Sequence, residues 1–150
     1  MAITDEDKPG ERQDYVLEEQ AGHLLRRAHQ RHTAIFQGMI GESQLTPLQF
    51  AALARLRDLS GISQNQLGRL TAMDAATMQG VIKRLAARGL IERCPDPEDR
   101  RRLILNLSRE GRSLIDRVIG NAHSITAETL KPLSAAEEKT FLQLLAKISE

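Results

Sequence analysis

From Leu17 onward, apolar residues recur at Ala21, Leu24, Leu25, Ala28, Ile35, Phe36 and Met39, the three- and four-residue spacing of an amphipathic helix. One long helix is predicted over about 14–40, halted near Gly41, a residue that takes the left-handed conformation readily. In Leu45-Thr46-Pro47-Leu48-Gln49-Phe50 a hydroxyl N-cap precedes proline at the first helical position. Glutamine at N3 closes a capping box, and Leu45 and Phe50 can staple the helix start. This helix spans 47 to about 59 and stops at Ser60-Gly61. Ile62-Ser63-Gln64-Asn65-Gln66-Leu67 repeats the device and opens a short helix to about 71. Asp74 caps a fourth helix, 75–88, whose Met78, Val81, Ile82 and Leu85 form one apolar stripe and which Gly89 ends. Two short helices a few residues apart, the second polar on its outer face, make a helix-turn-helix pattern.

After Gly89 the period changes from helical to strand-like. Leu90 to Arg93 reads as a strand, Pro95-Asp96-Pro97-Glu98-Asp99 as a turn, and Leu103 to Leu107 as a second strand. Together they form a hairpin with an arginine-rich tip, a wing. Ser108 caps a helix of about 109–129, and Ser134-Ala135-Ala136-Glu137 opens a last helix with Phe141, Leu144, Leu145 and Ile148 on one face. The predicted fold is mainly α: a winged helix-turn-helix with a two-stranded β wing and an all-helical dimerisation region. Residues 1–150 form a single domain, with 14–45 and 109–150 as dimerisation helices around a winged-helix lobe at 46–107. So small a lobe cannot cover every apolar stripe on the flanking helices, so a second copy is the economical partner.

Composition narrows the function classes. No run of 18 apolar residues exists, and the acidic amino terminus lacks an apolar signal core, so neither a membrane span nor a signal peptide is expected. The single cysteine, Cys94, excludes an intramolecular disulfide and fits a reducing compartment, so the expected location is cytoplasmic. A net charge of +1 makes no global case for nucleic acid, but the charges are unevenly placed. Residues 1–14 carry five acids against two bases, whereas 63–102 carry eight bases against five acids. Four aromatic residues are too few for base-stacking platforms, which leaves duplex DNA as the nucleic-acid partner.

The stripe on the fourth helix leaves Ala75, Ala76, Thr77, Gln79, Gly80, Lys83 and Arg84 facing outward. The small residues allow close approach, Gln79 suits an adenine edge, Thr77 a base or thymine methyl, and Lys83 and Arg84 guanine or phosphate. Ser63 and Gln64, opening the preceding helix, fit a phosphate. Arg100, Arg101 and Arg102 at the wing tip suit a narrow minor groove, with Asp96, Glu98 and Asp99 expected to orient them. Each of these residues also suits an ordinary solvated surface, and a winged helix serving as a protein-interaction module without base readout is the alternative. Salt dependence of duplex binding separates the two.

The chain resembles the MarR-type winged-helix transcription regulators over nearly its whole length. The resemblance is carried by Leu45 to Phe50, by Thr77 to Arg93, by Asp96-Pro97-Glu98-Asp99-Arg100-Arg101-Arg102 and by Leu107-Ser108-Arg109-Glu110-Gly111, in that order and spacing. It implies a homodimeric repressor whose first and last helices interlock and whose two recognition helices enter successive major grooves of a palindromic double-stranded operator. Gln20 to His32 and Ser63 to Asp74 are similar to the subgroup that represses nicotinate degradation, which implies a hydroxylated nicotinate as effector.

The first helix holds three of the four histidines, His23, His29 and His32, among Arg26, Arg27 and Arg31. At about 100° per residue, His32 falls within the apolar arc and His29 on its edge, with His23 and Arg27 together on the opposite flank. His32 fits a hydrogen-bonded core histidine. Imidazole and guanidinium beside an apolar stripe also suit a small aromatic acid, so His23, Arg27, His29 and His32 are the candidate ligand residues. The resemblance implies the same ligand class, in a cleft beside the dimer helices. His29 and His32 are spaced to share a metal, but no acid or cysteine completes the set, so no metal or cofactor is expected. Cys94 is expected to be inert rather than an oxidant sensor, and with no nucleophile, base and acid at recognisable spacing the chain is not read as an enzyme.

Overall fold

The computed structural model describes residues 14–150. Among these, the helices are Ala21–Met39 (α1), Pro47–Asp58 (α2), Gln64–Leu70 (α3), Ala75–Ala87 (α4), Arg109–Leu130 (α5) and Ala135–Ile148 (α6). The strands are Ile62–Ser63 (β1), Ile91–Pro95 (β2) and Leu103–Leu107 (β3). The helix starts follow from their caps. Thr46 and Gln49 exchange two bonds of 3.2 Å ahead of Pro47, and Ser134 and Glu137 exchange bonds of 2.9 and 3.2 Å. At Ser63 the expected box is half formed: its hydroxyl accepts from the Gln66 N–H at 3.2 Å without a return bond.

Three expectations need correction. The first helix does not run unbroken from 14. Gln20 is extended (φ −82°, ψ 139°), and a single 3-10 turn, Leu17–Glu19, precedes it. The Gln20 side chain donates to the Val16 carbonyl at 2.8 Å, and Tyr15, Val16 and Leu17 are all exposed, so no packing straightens this stretch into helix. The sheet has three strands rather than two, in the order β1-β3-β2, with Ile62 opposite Leu105 and Ser63 opposite Ile104. The first wing strand lies at 91–95 instead of 90–93, with Pro95 opposite Leu103. Proline fits there because β2 is an edge strand, where a missing N–H leaves no ladder bond unmade.

The core gathers inside the winged lobe. Leu53 and Leu56 of α2, Leu67 of α3, Met78, Ile82 and Leu85 of α4, Leu105 of β3 and Ile115 of α5 are fully buried together. Phe36 and Ile40 reach in from α1, and Phe50 meets Phe36 edge-on at 6.1 Å between ring centres.

The lobe passes into α5 through a tight joint. The Ser108 hydroxyl accepts from the Gly111 N–H at 3.0 Å and donates to the Gly89 carbonyl at 2.6 Å, while the Ser108 N–H donates to Leu90 O at 3.1 Å. Gly89 itself has φ +71°, and the Leu90 carbonyl lies where any side chain at Gly111 would begin. Glycine is therefore required at 111 for space rather than for backbone freedom. Arg57 of α2 and Asp116 of α5 add an exposed ion pair at 2.7 Å, and Arg88 donates to the Ser43 carbonyl at 2.7 Å. Beyond the joint packing thins: no residue of α6 is buried, and Phe141, Leu142, Leu144 and Ile148 are exposed, as are Leu24 and Leu25 of α1. Among the described residues no helix is long and apolar enough to cross a membrane.

Candidate nucleic-acid interface

Helix α4 is launched by Asp74, whose carboxylate accepts from the Thr77 N–H at 2.7 Å. That bond, with a further one from the Thr77 hydroxyl, holds the Asp74 carboxyl below its ordinary value of 3.8. The turn before it places Ala72 in the left-handed region (φ 54°), unusual for a residue with a Cβ. Met78, Val81, Ile82 and Leu85 are buried as the periodicity requires. Ala75, Gln79, Lys83 and Arg84 are exposed, and Thr77 and Gly80 are half-buried. The Arg84 guanidinium folds back along the helix so that its Nη1 would lie 3.3 Å from a Cβ at Gly80. The bare glycine makes room for it.

Two adjoining recesses link this helix to the wing. The first, about 230 Å³, runs between α3 and the start of α4 and is lined by Gln64, Asn65, Arg69 and Ala75, among others. The second, about 460 Å³, is lined by Ser63, Gln64, Asn65, Arg69, Arg102 and Leu103. Gln64, Asn65 and Arg69 belong to both, so one continuous surface extends from the head of α4 across α3 to the wing. Asn65 and Arg69 were not singled out from the sequence. Their spacing of four on one helix was the available signal.

At the wing tip the expected pairing of acids with arginines is not what forms. Asp96 Oδ1 accepts from the Glu98 N–H at 2.9 Å and Asp99 Oδ1 from the Arg101 N–H at 3.1 Å, while the Asp96 N–H donates to Arg102 O at 2.8 Å. The short acids fold the turn by capping its own backbone, a local bond that aspartate makes more readily than a bridge to a long cation. Among the described residues none of the guanidinium groups of Arg100, Arg101 and Arg102 makes an ion pair, and all three residues are exposed.

Of the candidate ligand residues, the structure brings His29 and His32 together in a cleft of about 360 Å³ between α1, α5 and α6. Leu25, Thr126, Thr129, Phe141 and Leu145 also line it. His23 and Arg27 are not part of it: the His23 ring nitrogen lies 3.2 Å from Arg26 Nη2, and Arg27 is exposed. Thr129, missed from the sequence, lies 97 residues from His32, yet its Oγ1 is 2.9 Å from His32 Nδ1. Among the described residues no three histidine, cysteine, aspartate or glutamate side chains cluster as a metal site would need.

Comparison with known proteins agrees with this geometry. Residues 43–102 match the model of the MarR family. The chain is 46% identical to the HTH-type transcriptional repressor NicR of Pseudomonas putida over 134 residues, covering 89% of this chain and 85% of that one. It is similar to the structure of Bordetella bronchiseptica BpsR, described as regulated in DNA binding by 6-hydroxynicotinic acid, with 44% identity, TM-score 0.87 and coverage of 91% and 98%. It is also similar to the repressor CouR bound to a 23-mer DNA duplex, with 28% identity, TM-score 0.83 and coverage of 89% and 95%. With its buried helix-turn-helix core, exposed wing arginines and near full-length similarity to these proteins, the chain belongs to the MarR family of DNA-binding transcriptional regulators.

Proposed function

We propose that two copies of this chain form a cytoplasmic repressor whose hold on a palindromic operator is loosened by a small aromatic acid. The observation that carries DNA reading is the continuous surface from α4 through α3 to three wing arginines that make no ion pair among the described residues. In this assignment Ala75, Thr77, Gln79, Gly80, Lys83 and Arg84 enter the major groove, and Ser63 and Gln64, joined by Asn65 and Arg69, hold the phosphates. Arg100, Arg101 and Arg102 reach the adjacent minor groove. Pairing of copies is supported by the apolar, unburied faces of α6 and the first half of α1, which a lone chain leaves in water.

The effector is assigned to the cleft beside His29 and His32, whose walls are largely apolar and whose size suits a single ring. Relatives support a hydroxylated nicotinate, since BpsR responds to 6-hydroxynicotinic acid. The acid's carboxylate needs a cation that, among the described residues, none lining this cleft in one copy supplies with a permanent charge. Arg27 and His23, on the other flank of α1, contribute if the second copy's α1 brings them to the cleft. Because α1, α5 and α6 also carry the pairing faces, a ligand wedged among them biases the spacing of the two lobes, provided it binds the DNA-free arrangement more tightly. The test is fluorescence anisotropy on a labelled duplex from upstream of the protein's own gene. Binding that 6-hydroxynicotinate weakens at least tenfold supports the proposal, and binding indifferent to it overturns the effector assignment.

A further inference from the structure

The contact between α1 and the end of α5 bears on which nitrogen of His32 carries its proton. The Thr129 hydroxyl has one hydrogen, and it lies 2.8 Å from the Ile125 carbonyl, a group that only accepts. With that hydrogen engaged, Oγ1 can offer only a lone pair to His32 Nδ1 at 2.9 Å, so Nδ1 is the donor. The backbone that carries Thr129 is tied to α1. Its carbonyl takes the Arg31 Nη1 at 2.6 Å and the neighbouring Glu128 carbonyl takes Nη2 at 3.2 Å, a guanidinium cap on the negative end of α5. In the neutral ring Nε2 is then a bare acceptor. Among the described residues it has no protein partner, nor is it a sealed unsatisfied atom of the kind found at Thr33 Oγ1, and His32 lines the cleft.

On the footing that the cleft takes an aromatic acid, we propose that Thr129 is a positioning residue. It locks His32 in the Nδ1–H tautomer, so that Nε2 selects ligands carrying a ring hydroxyl, or the ring N–H of its tautomer, over the same acids without that donor. Free histidine favours the opposite, Nε2–H form, and that form would present a donor to the cleft, suited to a bare ring nitrogen or a carbonyl oxygen rather than to a ring N–H. The remaining polar lining from α5 is Thr126 and Thr129, with no carboxylate to compete for the ligand's hydrogen. An acceptor that the bound ring covers without giving it a donor is what makes such a site reject the unsubstituted ring.

The test pairs nitrogen NMR with ligand binding, both on the full chain. Long-range proton–nitrogen correlation of uniformly ¹⁵N-labelled protein, above the histidine titration range, is expected to show His32 with a protonated Nδ1 and a pyridine-type Nε2. Thr129→Val is expected to return the ring toward Nε2–H and Thr129→Ser to keep the lock. Calorimetric titration is expected to favour 6-hydroxynicotinate over nicotinate by about tenfold in the wild type and in Thr129→Ser, and to lose most of that ratio in Thr129→Val. An Nε2–H ring in the wild-type protein, which needs no variant to fold, overturns the lock. So does a preference for the hydroxylated acid that survives Thr129→Val unchanged. Failure of both acids to bind wild-type protein whose Nδ1 is protonated instead overturns the cleft's assignment to aromatic acids, and the selection with it.

Discussion

The winged lobe and the two ends of the chain are built from similar amphipathic helices, yet they are finished to different degrees. Leu85 of α4 is 0% exposed, whereas Leu144 and Ile148 of α6 are 56% and 66% exposed. The lobe closes on itself through α2, α3, α4, three strands and the first half of α5. The ends present an apolar stripe that no other described residue covers. The lobe thus buries its stripes, with Phe36 and Ile40 reaching in beside α1, and the ends are where the proposed pairing of copies would bury theirs.

Substitutions can break that contrast, the largest effect lying inside the lobe. Leu85→Ala is expected to cost about 2–5 kcal/mol in urea unfolding, because it empties a fully packed site. Gly111→Ala, which drives a methyl into the Leu90 carbonyl at the joint, is expected to cost about 2–3 kcal/mol in the same measurement. Ile148→Asp is expected to leave the lobe's fold intact by circular dichroism and to shift sedimentation toward single chains on dilution. If it leaves the assembly unchanged, α6 is not part of the pairing face. Arg101→Ala is expected to weaken duplex binding by a few kcal/mol at most and to reduce its salt dependence. Gln79→Ala is expected to relax sequence preference at one position by about 1–3 kcal/mol, measured on a panel of duplexes differing there. Ala72→Gly, relieving a left-handed residue between α3 and α4, is expected to stabilise by about 1 kcal/mol.

Acid sharpens the comparison from another side. The carboxyls of Asp74 in the lobe and Glu137 in α6 are both held below their ordinary values, by bonds from Thr77 and Ser134 respectively. A depressed folded-state value stabilises above the unfolded value and is lost as pH falls through the folded one. Both caps are thus intact at neutral pH, and their contribution is lost only in acid, as pH falls below the ordinary values of 3.8 and 4.5. Asp74→Asn, which keeps a cap but not the charge, is expected to flatten that acid limb in pH-dependent thermal melts.

Helix starts and stops were legible in the sequence because each is a local event: Thr46 with Gln49, Ser108 with Gly111 and Gly89 at φ +71° act within a few residues of themselves. What was missed depends on partners far along the chain. Strand β1 is two residues long and exists because β3 offers it a ladder. Thr129 meets His32 only after α5 has folded beside α1. The wing shows the intermediate case, since the hairpin was predictable from its prolines and apolar runs. The preference of Asp96 and Asp99 for backbone N–H groups over arginines was a competition that composition alone did not decide.

The most direct measurement is the salt dependence of binding to a duplex from upstream of the protein's own gene, compared between wild type and the Arg100→Ala/Arg101→Ala/Arg102→Ala triple variant. A steep linear fall of log affinity with log salt in the wild type, made shallower by about one for each phosphate-neutralising contact removed, is the predicted result. A wild-type affinity indifferent to salt, or a triple variant with an unchanged slope, would contradict it.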